Sequence, residues 1–123
     1  PILDTTRKGM ALEKFPDKKT AKQASPLHHV RGKLPPMLLF HGTNDRVAPH
    51  ATSKAFVRKM RWRWKKEKCR LSTFDREGHG FFNFNVDARL YELTLTEMDH
   101  FLVECGFLDP SPEADSDLRL NRR

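Results

Sequence analysis

The 123-residue chain carries 23 Lys and Arg against 16 Asp and Glu, a formal net charge of +7, with 37% hydrophobic and 32% charged residues. That length suits one small domain or part of a larger one and leaves room for only a modest core. No apolar stretch approaches the ~20 residues of a membrane-spanning helix, and the 2 cysteines, Cys69 and Cys105, are too few for a disulfide scaffold and fit no zinc spacing.

The first residue is Pro, and no basic, apolar, small-residue leader pattern opens the chain. The sequence therefore assigns no localisation, and the chain reads as a processed product or a piece of a longer protein. Residues 1–33 read as irregular. "PILDT" suits the end of a strand or the start of a loop. "EKFPDKKTAKQAS" suits an exposed basic loop with at most one short helix. Ser25 before Pro26 is kept out of the helical region.

"KLPPMLLFHG" is the clearest strand. The two prolines stop any preceding helix. Met37 to Phe40 then run apolar without alternation, the pattern of a strand buried on both faces of a helix-covered parallel sheet, and Gly42 closes it. "PHATSKAFVRKMRWRWKKEK" predicts a helix of about four turns. Phe56, Met60 and Trp64 share one face with Ala55 beside them, while Lys54, Arg58, Arg61 and Lys65 lie largely on the other. The basic "KKEK" end favours the negative end of the helix dipole.

"CRLSTFD" is a second strand, with Cys69, Leu71 and Thr73 alternating against Arg70, Ser72 and Phe74. "REGHGFFN" follows as a loop. A helix is predicted from Asp87 to about Cys105, capped by Asp87 and stopped by Gly106. Leu90, Leu93, Met98, Phe101, Leu102 and Cys105 form its apolar face. The polar segment "LDPSPEADSDLRLNRR" reads as a disordered tail. The division is thus residues 1–108 as an α/β unit and 109–123 as tail. Strand, crossover helix, strand, helix is one edge of a parallel α/β sheet. Two strands do not make a stable sheet alone, so an incomplete domain is expected.

In open parallel sheets the working residues gather beyond the carboxyl ends of the strands. Asp45 follows the first strand and His79 the second, so both are expected at one edge of the sheet. An Asp beside a His ring holds its tautomer and stabilises its charged form, and the His then takes a proton from a nucleophile. Gly78 and Gly80 are expected to give the backbone tight or left-handed turns around His79, with Phe81 and Phe82 walling the site.

"SPLHHV…LPPMLLFHGTNDRVAP" followed by "DREGHGFFN" resembles the C-terminal part of α/β-hydrolase esterases and lipases, in the acetyl-esterase, xylan-esterase-like and prolyl-oligopeptidase-related branch. The resemblance covers roughly residues 1 to 108. It rests on the two motifs in their order and spacing, since either alone is weak. It implies an α/β-hydrolase fold, Asp45 as the catalytic acid and His79 as the base. The implied reaction is serine-type hydrolysis of a small carboxylic ester, such as an acetylated carbohydrate, through an acyl-serine. The family's chain order is Ser, acid, His, with the Ser in a G-x-S-x-G elbow. No such elbow surrounds Ser25, Ser53, Ser72, Ser111 or Ser116, and the family's oxyanion-hole segment also lies upstream. The 123 residues alone are therefore expected not to turn over esters. Ala48 stands where many relatives carry a second Val, and "RWRWKKEK" is more basic and aromatic than the usual helix end.

Other assignments compete. Asp45 is also good turn chemistry in "TND", and His79 is also an ordinary loop residue. Asp75 is a second candidate acid, disfavoured by its nearness in sequence to His79. Glu77 is read as solvated. His41 is read as structural, a ring nitrogen satisfying a loop carbonyl, and His50 and His100 as surface residues. Adjacent His28 and His29 have no Cys or carboxylate partner at ligand spacing, so neither metal nor cofactor is expected. Cys69 and Cys105 read as buried thiols. The rival function is a non-catalytic basic module, with Arg58 to Lys68 holding single-stranded nucleic acid or a protein by stacking and charge. Against it, Trp64 and partly Trp62 are expected to pack on the sheet with the charges in water, and no nucleic-acid fold motif is present. A degenerate interaction domain is the third class.

Overall fold

The computed structural model describes residues 2–6, 12–32, 34–63 and 69–110. The chain divides into two compact units, Pro1–Phe81 and Phe82–Arg123.

The first unit opens with more regular structure than its sequence pattern suggests. Asp17 caps helix α1 (Lys18–Ala24), its side chain accepting from the Thr20 amide at 2.8 Å. Ser25 then turns extended, at φ −87° and ψ 111°, as a residue before proline must. Short 3-10 turns occupy Leu12–Lys14 and Pro26–His29. Small residues tie this segment down. Ala21 and Ser25 are wholly buried, and the Thr5 hydroxyl donates to the Ala21 carbonyl at 2.5 Å. A helix held by one buried Ala carries no apolar stripe, so periodicity does not reveal it.

Strand β1 (Met37–Gly42), helix α2 (His50–Arg63) and strand β2 (Cys69–Phe74) follow. The strands pair in parallel from Met37 opposite Cys69 to Gly42 opposite Phe74, the crossover geometry expected. The core gathers Leu3, Val30, Phe56, Val57, Met60 and Cys69, with Met37, Leu39 and Leu71 packed against it. Met37 to Phe40 are each half-buried rather than enclosed. Met37 and Leu39 reach the α2 cluster, whereas Leu38 and Phe40 alternate to the other face. There the Phe40 and Phe74 rings lie 6.2 Å apart.

On α2, Phe56 and Met60 are buried as expected, joined by Val57, Thr52 and Ser53. Trp64 and the "KKEK" end lie outside the described residues. Trp62 does not pack on the sheet: it is 81% exposed. At two positions past Met60 on a 3.6-residue helix it points well away from the buried stripe. Cys69 is buried and Cys105 half-buried, and both are free thiols. Burial pushes the Cys69 thiol up, against a smaller opposing pull from Arg61.

The second unit holds helix α3 (Ala88–Glu104). Asp87 caps it, accepting from the Leu90 amide at 2.9 Å. Gly106 ends it at φ +75°, with the Phe107 amide reaching back to the Leu102 carbonyl at 2.9 Å, a Schellman-type closure. The buried positions are Leu90, Thr94 and Phe101. Leu93 and Met98, expected on the apolar face, are exposed, because Thr94 rather than Leu93 continues the stripe one turn beyond Leu90. Most of the expected tail lies outside the described residues, and residues 107–110 are exposed. Among the described residues no helix is long and apolar enough to cross a membrane.

Candidate active site

Because β1 and β2 end in register, their following loops leave the sheet side by side, and backbone hydrogen bonds join them. The Thr43 amide donates to the Phe74 carbonyl and the Asn44 amide to the Glu77 carbonyl, each at 2.9 Å. The Thr43 hydroxyl donates to Asp75 Oδ1 at 3.1 Å and accepts from the Arg76 amide at 2.8 Å. Gly42 sits directly against the second loop, so that a Cβ there would run into the Glu77 carbonyl. The left-handed residue in this loop is Arg76, at φ 62°. Gly78, expected with Gly80 to allow tight or left-handed turns, is not left-handed, and a Cβ there would meet nothing within 4 Å. The turn that aims the His79 loop is made earlier, where β2 gives way to the hydrogen bonds with Thr43.

Asp45 and His79, 34 residues apart, meet at 2.8 Å between Oδ2 and Nδ1. The Asp45 side chain is 3% exposed and that of His79 51%. The other oxygen, Oδ1, accepts from the amides of Val47 at 2.9 Å and Ala48 at 2.8 Å. "NDRVA" thus folds as a turn around its own carboxylate, and the turn role and the His79 contact are held by one residue. Burial raises the Asp45 pKa, but the Ala48 amide, the His79 hydrogen bond and the Val47 amide outweigh it. The net effect holds the carboxyl below the ordinary aspartate value. An ionised carboxylate only accepts, so His79 Nδ1 carries the hydrogen. Nε2 is left as the basic nitrogen of the neutral ring.

His41 lies beneath this pair and is 1% exposed. Its Nε2 donates to the Ala48 carbonyl at 2.6 Å, as the structural reading expects, and its Nδ1 lies 2.7 Å from Ser53 Oγ. Unanticipated is its third neighbour, Asp45 Oδ2, at 3.1 Å. His50, half-buried at the start of α2, sets its ring edge to face with His41 at 5.4 Å. Asp75 is turned to solvent, with Thr43 and Arg76 as its neighbours. Phe81 is buried and stacks on Phe74 at 4.5 Å, so it lies under the loop. Phe82 falls in the second unit.

The arrangement is a half-exposed imidazole of fixed tautomer backed by a buried carboxylate, suited to taking a proton from a hydroxyl. Ser25 and Ser53 are wholly buried. Ser25 Oγ pairs with the Leu3 carbonyl and Ser53 with His41. Ser72 lies in β2, and Ser111 and Ser116 lie outside the described residues. Among the described residues no group of three or more His, Cys, Asp or Glu is placed to hold a metal ion.

The profile of the prolyl oligopeptidase family matches residues 4–105. Comparison with curated proteins returns no match. Among solved structures, esterase 2 of Thermogutta terrifontis phosphoramylated by tabun is 41% identical with a TM-score of 0.77, covering 90% of this chain and 41% of that chain. The propionate-bound esterase from the same organism is 38% identical with a TM-score of 0.76, covering 90% and 42%. The butyrate-bound form is 36% identical with a TM-score of 0.76, covering 90% and 43%. The chain therefore spans about two fifths of the length of the esterases it matches.

Proposed function

The chain belongs to the prolyl oligopeptidase family, and from that premise we propose that it supplies the acid and base of a serine-type carboxylic-ester hydrolase. Asp45 is the acid, His79 the general base, and the nucleophilic serine and oxyanion hole come from polypeptide beyond these 123 residues. The observation that carries this is the 2.8 Å contact between the buried Asp45 carboxylate and the half-exposed His79 ring.

In this reading His79 Nε2 takes the serine proton as the hydroxyl oxygen attacks the ester carbonyl. Asp45 stabilises the imidazolium that forms. The imidazolium then protonates the departing alkoxide as the acyl-serine is left. Water, deprotonated by the same nitrogen, attacks the acyl-serine, and the carboxylic acid leaves as the serine recovers its proton. Propionate and butyrate bound to the similar esterase favour short acyl groups, with acetyl esters of carbohydrates at the small end. The test is kinetic. In the hydrolase assembled around this segment, kcat for a short-chain p-nitrophenyl ester should fall by roughly 10⁶ in His79→Ala and by roughly 10⁴ in Asp45→Asn. The 123-residue chain alone should show no saturable turnover. Unchanged kcat in either variant would refute the assignment.

A second reading keeps one observation. Trp62 is 81% exposed and lines a groove of about 440 Å³ with Leu27, His28, Ala55, Arg58 and Lys59. An open indole beside cations suits stacking on a base of single-stranded nucleic acid. Salt-sensitive binding of single-stranded DNA, lost in Trp62→Ala, would support it.

A further inference from the structure

We propose that His41 is a positioning residue for the Asp45–His79 pair, fixing the carboxylate that His79 uses. The significance for catalysis rests on the hydrolase reading, but the geometry does not. Nε2 of His41 faces two oxygens that only accept, the Ala48 carbonyl at 2.6 Å and Asp45 Oδ2 at 3.1 Å, so Nε2 must carry a hydrogen. In the neutral ring Nδ1 is then the acceptor, and the Ser53 hydroxyl, wholly buried in α2, donates to it at 2.7 Å. The Ala48 carbonyl and Asp45 Oδ2 therefore set the tautomer of His41, the Ser53 hydroxyl rotates to suit it, and His41 in turn clamps the Asp45–Ala48 turn from below.

Ala48 closes the clamp. Its amide donates to Asp45 Oδ1 while its carbonyl accepts from His41. One buried imidazole thus bears on both ends of the turn: directly beside Oδ2, and through Ala48 on Oδ1. His79 approaches the same Oδ2 from the open side. Two histidines share one carboxylate oxygen. Only the half-exposed one is placed to meet a reacting group, and the other acts solely through Asp45.

The test separates donor from filler. The amide nitrogen of Gln at position 41 reaches the place of Nε2, whereas that of Asn reaches only the place of Nδ1. Two-bond ¹H–¹⁵N correlation on the labelled protein assembled around this segment at about pH 8, above the ordinary histidine range, reads which nitrogen of His79 is protonated and whether its Nδ1 proton is hydrogen-bonded. His41→Gln should keep the His79 Nδ1–H signature of the unvaried chain, and His41→Asn should lose it. If the two variants behave alike, the proposal falls. A signature kept in both means that His41 does not set the pair, and one lost in both means that it only fills space. Ester hydrolysis does not enter this readout, so failure of the hydrolase reading would leave it standing.

Discussion

Gly42 and Glu77 come together backbone to backbone where the loops carrying Asp45 and His79 leave the sheet. A side chain at residue 42 would collide with the Glu77 carbonyl, and its Cβ would lie only 2.8 Å from the Gly78 carbonyl oxygen. Both obstacles are main chain and cannot rotate away. Gly42→Ala should therefore force the loops apart, destabilising the chain by about 3 kcal/mol in urea denaturation and breaking the Asp45–His79 contact. Gly78→Ala, with open space around its Cβ, should stay within about 0.5 kcal/mol of the unvaried chain. Equal effects at the two glycines would contradict this account of how the loops are held.

The Asp45 carboxyl is held below its ordinary value, burial being more than offset by the Ala48 amide, His79 and the Val47 amide. A depressed folded-state value means that the unfolded chain binds the proton first. The associated stability is present above the unfolded aspartate pKa, about 3.9, and is lost as pH falls through the lower folded value. The stability difference between the unvaried chain and Asp45→Asn should accordingly shrink as pH falls below about 4. Chemical denaturation at a series of pH values checks the sign. A difference that goes on growing below about pH 4 would show that Asp45 is not favoured as the anion.

The meeting of Asp45 with His79 was legible because each follows a recognisable strand, and parallel strands in register put their next loops at one edge. The strands, α2, α3 and both ends of α3 were legible for similar local reasons: Asp87 and Gly106 are position-specific chemistry. What escaped was set by tertiary contact. His41 and Asp45 are four apart across a strand end and a turn, where spacing fixes no geometry, so their 3.1 Å approach has no sequence signature. Thr43 joining Asp75 and Arg76 is equally silent. Glycine is the residue at which a left-handed backbone is expected, yet Arg76 and not Gly78 bears the positive φ, held by the hydrogen bond from its amide to the Thr43 hydroxyl. Thr94 hid the buried stripe of α3, since it does not count as a large apolar residue, whereas α1 falls in the segment where one short helix is expected.

Arg76 offers a simple check on that strain. Its φ of 62° crowds any L side chain, at a cost of roughly 1–2 kcal/mol. Glycine relieves the crowding but loses more chain entropy on folding. Arg76→Gly should stabilise the chain by about 0.5–1 kcal/mol net. Arg76→Val, β-branched and worse suited to this region, should destabilise it. Denaturation midpoints of the two variants moving in opposite directions would confirm the backbone assignment, and a common direction would show that the Arg76 side chain matters more than its φ.

Met60 and Trp62 divide α2 into a face that holds the fold and a face that does not. Met60 is 1% exposed within the core that backs both strands. Met60→Ala removes buried methylene and sulfur contacts and leaves a cavity, so a loss of about 2–5 kcal/mol is expected. Trp62, 81% exposed, has little burial to lose, and Trp62→Ala should change stability by no more than about 0.5 kcal/mol. That near-neutrality makes Trp62→Ala a clean probe of binding, because any loss of affinity for single-stranded DNA would then report the surface and not the fold. If Trp62→Ala instead costs as much as Met60→Ala, the indole packs against the protein, and the basic face of α2 loses the open aromatic on which a binding role depends.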